Sequence, residues 1–127
     1  MEPRCKLWLE HGDDLALSDY RVRLLATIGE TGSLSAASTR LGLSYRRAWG
    51  KVRELERNLG FTLVESVAGG AGGGGSRLTA EGAELVRRYT RFADEARRAV
   101  AVIYDEAFSS TLPTDPESLR TDRPGPR

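Results

Sequence analysis

Apolar positions recur at two spacings along this chain, and each change of spacing marks a new element. In CKLWLEHGDDLALSD, apolar and polar residues alternate around Leu7 and Leu9 and again around Leu15 and Leu17, with a turn-like HGDD between them. That period of two predicts an edge hairpin or a single strand. Over DYRVRLLATIGETG the spacing lengthens: Val22, Leu25, Ala26 and Ile28 fall at helical intervals, Asp19 is placed to cap the start, and Gly29 and Gly32 mark the end. SLSAASTRLG predicts a short second helix. Ser33 or Leu34 sits at its cap, Ala36, Ala37 and Leu41 face inward, and Gly42 is the left-handed stop.

A tight GLS connection leads into SYRRAWGKVRELERNLG, capped by Ser44 and stopped by Gly60. At about 100° per residue, Tyr45, Ala48, Val52, Leu55 and Leu59 cluster on one face. Arg46, Arg47, Gly50, Arg53, Glu54 and Arg57 fall opposite, with Trp49 at the border. FTLVESV has strand composition, with Phe61, Leu63 and Val67 on one side, and SRL resumes a short strand after the stretch SVAGGAGGGGS. Thr79 then caps a last helix, in which Val86, Tyr89, Ala93, Ala96, Val100, Ile103 and Ala107 repeat every three or four residues. Its length is about 29 residues, or about 43 Å. The remainder, SSTLPTDPESLRTDRPGPR, holds four of the five prolines and reads as a disordered tail.

Length and composition add bounds. A chain of 127 residues suits one domain with a tail. Cys5 is the only cysteine, which excludes an intramolecular disulfide and a cysteine-based zinc site and suits a reducing cytoplasm. The amino terminus lacks the basic start and apolar run of a signal peptide, and no apolar stretch approaches the roughly 20 residues that span a bilayer. A soluble, cytoplasmic protein with no membrane partner is expected. Charge changes the picture more. The net +1 hides a segregation: residues 1–19 carry five acidic against two basic residues, while residues 40–57 carry six basic against two acidic. Polyanion binding follows the local patch and not the total.

Helix, short helix, tight turn and basic amphipathic helix is the helix-turn-helix order, and a strand–loop–strand after the third helix makes it a winged variant. The third helix would lay its amino-terminal half in the major groove, where Arg46 and Arg47 can pair bidentately with guanine. Ser33, Ser35 and Ser44 at helix starts, with Lys51, Arg53 and Arg77, are placed to hold phosphates. Gly50 costs roughly 0.5–1 kcal/mol relative to alanine in a helix interior, yet points outward; its functional reading is that a side chain there would hold the helix off the base edges. Tyr45 and Trp49 can stack on nucleic acid but sit at core or edge spacing. Cys5 and His11 stand isolated. No nucleophile–base spacing, paired carboxylates or metal-ligand set supports an enzyme, and the glycine stretch lacks the Gly-Lys-Ser/Thr ending of a phosphate-binding loop.

LSYRRAWGKVRELE, followed by LVESVAGGAGGGGSRLTAEGAELVRRY, resembles the amino-terminal DNA-binding domain of the molybdate-responsive regulators (ModE), a winged-helix domain related to the LysR-type one. The resemblance runs from about residue 7 to 108. It rests on Ser-Tyr-basic-x-Ala-Trp opening the third helix, Leu-Val-Glu, the glycine loop, and Leu-Thr-x-x-Gly entering the long helix. It implies a homodimeric transcription factor that reads an operator in double-stranded DNA. Tyr45 and the wing glycines Gly72, Gly73 and Gly74 join the DNA-contacting set. Val86, Tyr89, Ala93, Ala96, Val100 and Ile103 are implied to form the dimer seam. The expected organisation is a winged helix-turn-helix over 1–78, a dimerisation helix over 79–108 and a tail over 109–127, mainly α with a small β wing. No cofactor is expected. Two departures stand out: the chain ends in a short tail where full-length members carry molybdate-binding domains, and Ser66 and Ala71 replace the usual wing arginine and lysine, leaving Arg77. Constitutive binding, an effector at the dimer interface and a separate effector-sensing protein all remain open. So does a winged-helix heterodimerisation module that does not read DNA.

Overall fold

A computed structural model describes residues 1–70 and 73–110. Strands β1 (Trp8–His11) and β2 (Asp14–Ser18) pair antiparallel as a hairpin, the first of the two forms that the alternation allows. Leu9 pairs with Leu17 and Glu10 with Leu15, so Ala16 bulges from the ladder. Ala16 and Leu17 are consequently both buried, where strict alternation would bury only one.

Helix α1 (Asp19–Thr31) follows directly. Ser18, not Asp19, is its N-cap, its hydroxyl accepting from the Arg21 amide; Asp19 is already helical. Gly32 ends the helix at φ 69°, whereas Gly29 lies inside it. A Cβ on Gly29 would stand 3.1 Å from the Leu78 side chain, so this glycine serves packing and does not stop the helix. In α2 (Leu34–Arg40), Ser33 is the cap and Ala37 is buried, but Ala36 is exposed. Helix α3 (Tyr45–Leu59) turns Ala48, Val52 and Leu55 into the core and stops at Gly60, φ 87°. Leu24, Leu25, Ile28, Leu34, Val52, Leu55 and Leu63 are fully buried and centre the core between these helices. Each contributes about 1.5–3 kcal/mol by leaving water. Phe61, placed on the same side of a strand as Leu63, lies on the connection after α3 and is exposed, whereas Leu63 is fully buried.

The glycine stretch belongs mostly to the arms of a hairpin. Strand β3 runs Val64–Gly70 and β4 runs Gly73–Leu78, with Val64 opposite Leu78, Val67 opposite Gly75 and Gly70 opposite Gly73. Residues without side chains carry no alternation, which is why the strand signal resumed only at SRL. Thr79 then caps α4 (Ala80–Ala107), accepting from the Gly82 amide at 3.0 Å. Gly82 lets this helix approach closely: a Cβ there would clash with the Leu63 carbonyl.

The amino-terminal segment runs along α4. Pro3, Cys5 and Leu7 are half-buried while Glu2, Arg4 and Lys6 are exposed. The Tyr104 hydroxyl donates to the Met1 carbonyl at 3.1 Å. The Tyr89 hydroxyl lies 3.0 Å from the Leu7 carbonyl and 2.7 Å from the Asp19 carboxylate, which Arg97 also engages at 2.7 Å. Burial first, and then the hydrogen bond to Asp19, push the Tyr89 hydroxyl well above the ordinary tyrosine range.

Candidate nucleic-acid interface

The first turn of α3 extends beyond the elements that cover its middle, and residues 44–47 are all exposed. Tyr45, placed by helical phase on the apolar face, is therefore 54% exposed. Ser44 caps the helix by accepting the Arg47 amide at 3.1 Å, and Ser33 caps α2 by accepting the Ala36 amide at 3.0 Å. In each cap the hydroxyl oxygen is used as acceptor and its proton stays available to an incoming phosphate. Ser35 is exposed in the first turn of α2, its carbonyl accepting from Ser38 Oγ at 2.8 Å.

Along the exposed face, the basic residues divide into free and held groups. Arg46 and Arg47 form no ion pair among the described residues. Gly50 lies one turn beyond Arg46, and no atom lies within 4 Å of where its Cβ would be. A flat, uncovered surface thus separates Arg46 from Arg53. Arg53 is held: its guanidinium stacks 4.5 Å from the Trp49 ring centre and reaches Glu56 at 3.6 Å. The Lys51 ammonium lies 5.4 Å from the Tyr20 ring, an interaction that orients the side chain without cancelling its charge. Arg21, from α1, pairs with Glu54 at 3.4 Å.

Two acidic residues organise this surface, and the sequence reading assigned neither a role. Glu56 accepts the Leu63 amide at 2.8 Å and the Val64 amide at 3.2 Å, which ties the start of the wing to α3. Glu65 stands opposite Arg77 across the β3–β4 ladder and accepts from its Nε at 2.8 Å. The signal for this second pair is symmetry: both residues lie six positions from Ala71, the centre of the glycine stretch.

Within the wing, Gly73 and Gly74 lie on β4, and Gly72, like Ala71, falls outside the described residues. Gly75 differs from them. A Cβ there would stand 2.5 Å from the Gly32 carbonyl, which also accepts the Ser76 amide at 3.0 Å. Gly75 therefore docks the wing on the end of α1.

The residues assigned to a dimer seam do not share one exposed face. Tyr89 is 4% exposed and Ala93 is equally buried, both covered by this same chain, while Val86, Ala96 and Val100 are half-buried and Ile103 is exposed. Phe92, Ala99 and Ile103 are exposed, and with half-buried Leu85 and Ala96 they make a second stripe spaced by seven, four, three and four residues. No group of three metal-ligating side chains occurs among the described residues, and no helix among them is long and apolar enough to cross a membrane.

Comparison with known proteins agrees with this geometry. The chain is 46% identical over 69 residues to the molybdenum-pterin-binding protein MopB of Rhodobacter capsulatus, covering 54% of this chain and 26% of that protein. It is 33% identical over 106 residues to the DNA-binding transcriptional dual regulator ModE of Escherichia coli K12, covering 84% of this chain and 40% of that one. It thus spans well under half the length of these curated relatives. Among solved structures, the CbnR_DBD–DNA complex matches with a TM-score of 0.54 at 25% identity, over 69% of this chain and 95% of that one. The family model described as bacterial regulatory helix-turn-helix protein, lysR family, matches residues 20–83, which run from α1 through the wing into α4. The chain belongs to the lysR family of bacterial regulatory helix-turn-helix proteins.

Proposed function

We propose that this chain is a sequence-specific, DNA-binding transcriptional regulator that works as a homodimer, with α3 as its reading helix. The observation that carries the proposal is the outer face of α3, where Arg46 and Arg47, without an ion pair among the described residues, stand one turn before the uncovered surface of Gly50. Arg46 and Arg47 are assigned to base edges; Ser33, Ser35, Ser44 and Lys51 are assigned to phosphates, which position the protein without reading sequence. Arg53 and the wing contribute less charge than their residue types suggest, because Glu56 and Glu65 offset them. Tyr45, exposed beside Arg46, is placed to contact the sugar–phosphate edge. The two reading helices of a dimer would enter successive major grooves about 34–36 Å apart, and the operator would be a pseudo-palindrome.

Selection of bound duplexes from a random pool tests the reading. A half-site motif repeated at one helical turn is the expected product, and recovery of an unenriched pool would overturn it. Arg47→Ala should then cost about 1–3 kcal/mol on the selected site, and much less on random duplex.

The name of the Rhodobacter capsulatus relative attaches that protein to molybdenum, and for this chain we propose molybdenum-linked regulation, in one of three forms: constitutive binding, an effector at the dimer interface, or sensing by a separate protein. Calorimetric titration of molybdate into the purified protein discriminates: saturable heat assigns sensing to this chain, and a silent titration removes direct sensing.

A further inference from the structure

The wing contains two charged residues between Val64 and Leu78, and they form one pair: Glu65 on β3 and Arg77 on β4, Oε1 to Nε 2.8 Å. Both side chains are substantially exposed, so neither is required for the core. The register places them directly opposite, and the next residues, Ser66 and Ser76, are opposite as well. Resting on the DNA-binding reading above, we propose that Glu65 is a negative determinant of DNA affinity, a carboxylate that neutralises Arg77 and holds the wing near zero net charge.

The argument is electrostatic. A cation that neutralises a phosphate releases a condensed counterion, and each such contact steepens the dependence of log K on log salt by about 0.9. Arg77 bound to Glu65 brings no net charge to the phosphate, so its approach releases little. It keeps free N–H groups that can still donate to a phosphate, because Nε alone is engaged. The wing is thereby left with hydrogen-bonding capacity and stripped of non-specific attraction. A regulator that must reject a large excess of random sites gains selectivity from that arrangement, since non-specific binding is almost wholly electrostatic.

Glu65→Gln removes the charge and preserves the size and the acceptor for Arg77 Nε. Affinity should be measured for random duplex and for a selected operator between about 50 and 200 mM salt. Glu65→Gln should tighten both, steepen the slope by about 0.9 for each wing engaged, and have each wing's gain shrink about 3.5-fold over that range. Arg77→Ala alone should change the slope little, and the double variant Glu65→Gln/Arg77→Ala should lose the gain. Thermal melts control for folding. If the wild type binds both duplexes but Glu65→Gln leaves affinity and slope unchanged, or tightens the operator alone, this proposal is overturned and the DNA-binding reading stands. A wild type that binds neither duplex at about 50 mM salt overturns that reading and this proposal together.

Discussion

Gly50 and Gly82 both sit in helix interiors, and their surroundings are opposite. Gly50 has open space where a Cβ would be; at Gly82 that Cβ would collide with the Leu63 carbonyl, a backbone atom that cannot step aside. Gly82→Ala should therefore destabilise the fold by about 1–3 kcal/mol in urea unfolding, as overpacking does. Gly50→Ala should stabilise it by about 0.5–1 kcal/mol, while weakening operator binding by raising the surface between Arg46 and Arg53. A Gly50→Ala protein with unchanged operator affinity would return that glycine to a neutral solvated position. Composition alone cannot separate these glycines, because what distinguishes them is a carbonyl distant in sequence. Tyr89 shows the same limit. Helical spacing marks it as apolar-face, but not that its hydroxyl meets Asp19. Its raised pKa means that folding stability is intact below about pH 10 and falls above it, as the unfolded tyrosine ionises and the buried one does not. Tyr89→Phe should lose that component of the alkaline decline in pH-dependent melts, and cost about 1 kcal/mol at neutral pH.

Elements were legible where a buried face repeats along a helix, and less so where two apolar faces share one helix. The caps at Ser33, Ser44 and Thr79, the stop at Gly60 and the inward Ala48, Val52 and Leu55 follow from local chemistry and period. On α4 the period merged two stripes. Val86, Tyr89, Ala93 and Val100 lie against the chain's own core or its amino-terminal segment, while Leu85, Phe92, Ala96, Ala99 and Ile103 follow a spacing close to a heptad on the open side. The second stripe is the better candidate for a homodimer seam, through Phe92 and Ile103. Ile103→Asp, at a position 62% exposed, should shift the protein to monomer in sedimentation velocity without lowering its melting temperature at dilute concentration. A dimer that survives both Ile103→Asp and Phe92→Asp would place the seam elsewhere.

At the scale of the molecule, the ion pairs revise what a count of basic residues suggests. The region from Arg40 to Arg57 carries six cations, but Arg40 pairs with Glu30, Arg53 with Glu56, and Arg21 meets Glu54 alongside. Arg77 pairs with Glu65 in the wing. The charge asymmetry between the acidic amino terminus and basic α3 was readable as a sum over sequence; its partial cancellation was readable only for Arg53 and Glu56, one turn apart on α3, because the partners of Arg40, Arg21 and Arg77 are set by tertiary approach or by strand register. Among the described residues, Arg46, Arg47 and Lys51 on the amino-terminal half of α3, and Arg57 near its end, form no ion pair. If the first three act in each protomer of a dimer, six phosphates at most are neutralised, and log K should fall with log salt at a slope no steeper than about −5. Filter binding or fluorescence anisotropy on the selected operator measures this directly. A slope of about −8 or beyond would mean that further cations, Arg57 together with Arg53 and Arg77 released from their carboxylates, neutralise phosphates, whereas a slope near −5 that falls by about 1.8 in Lys51→Ala would assign that residue one phosphate per protomer.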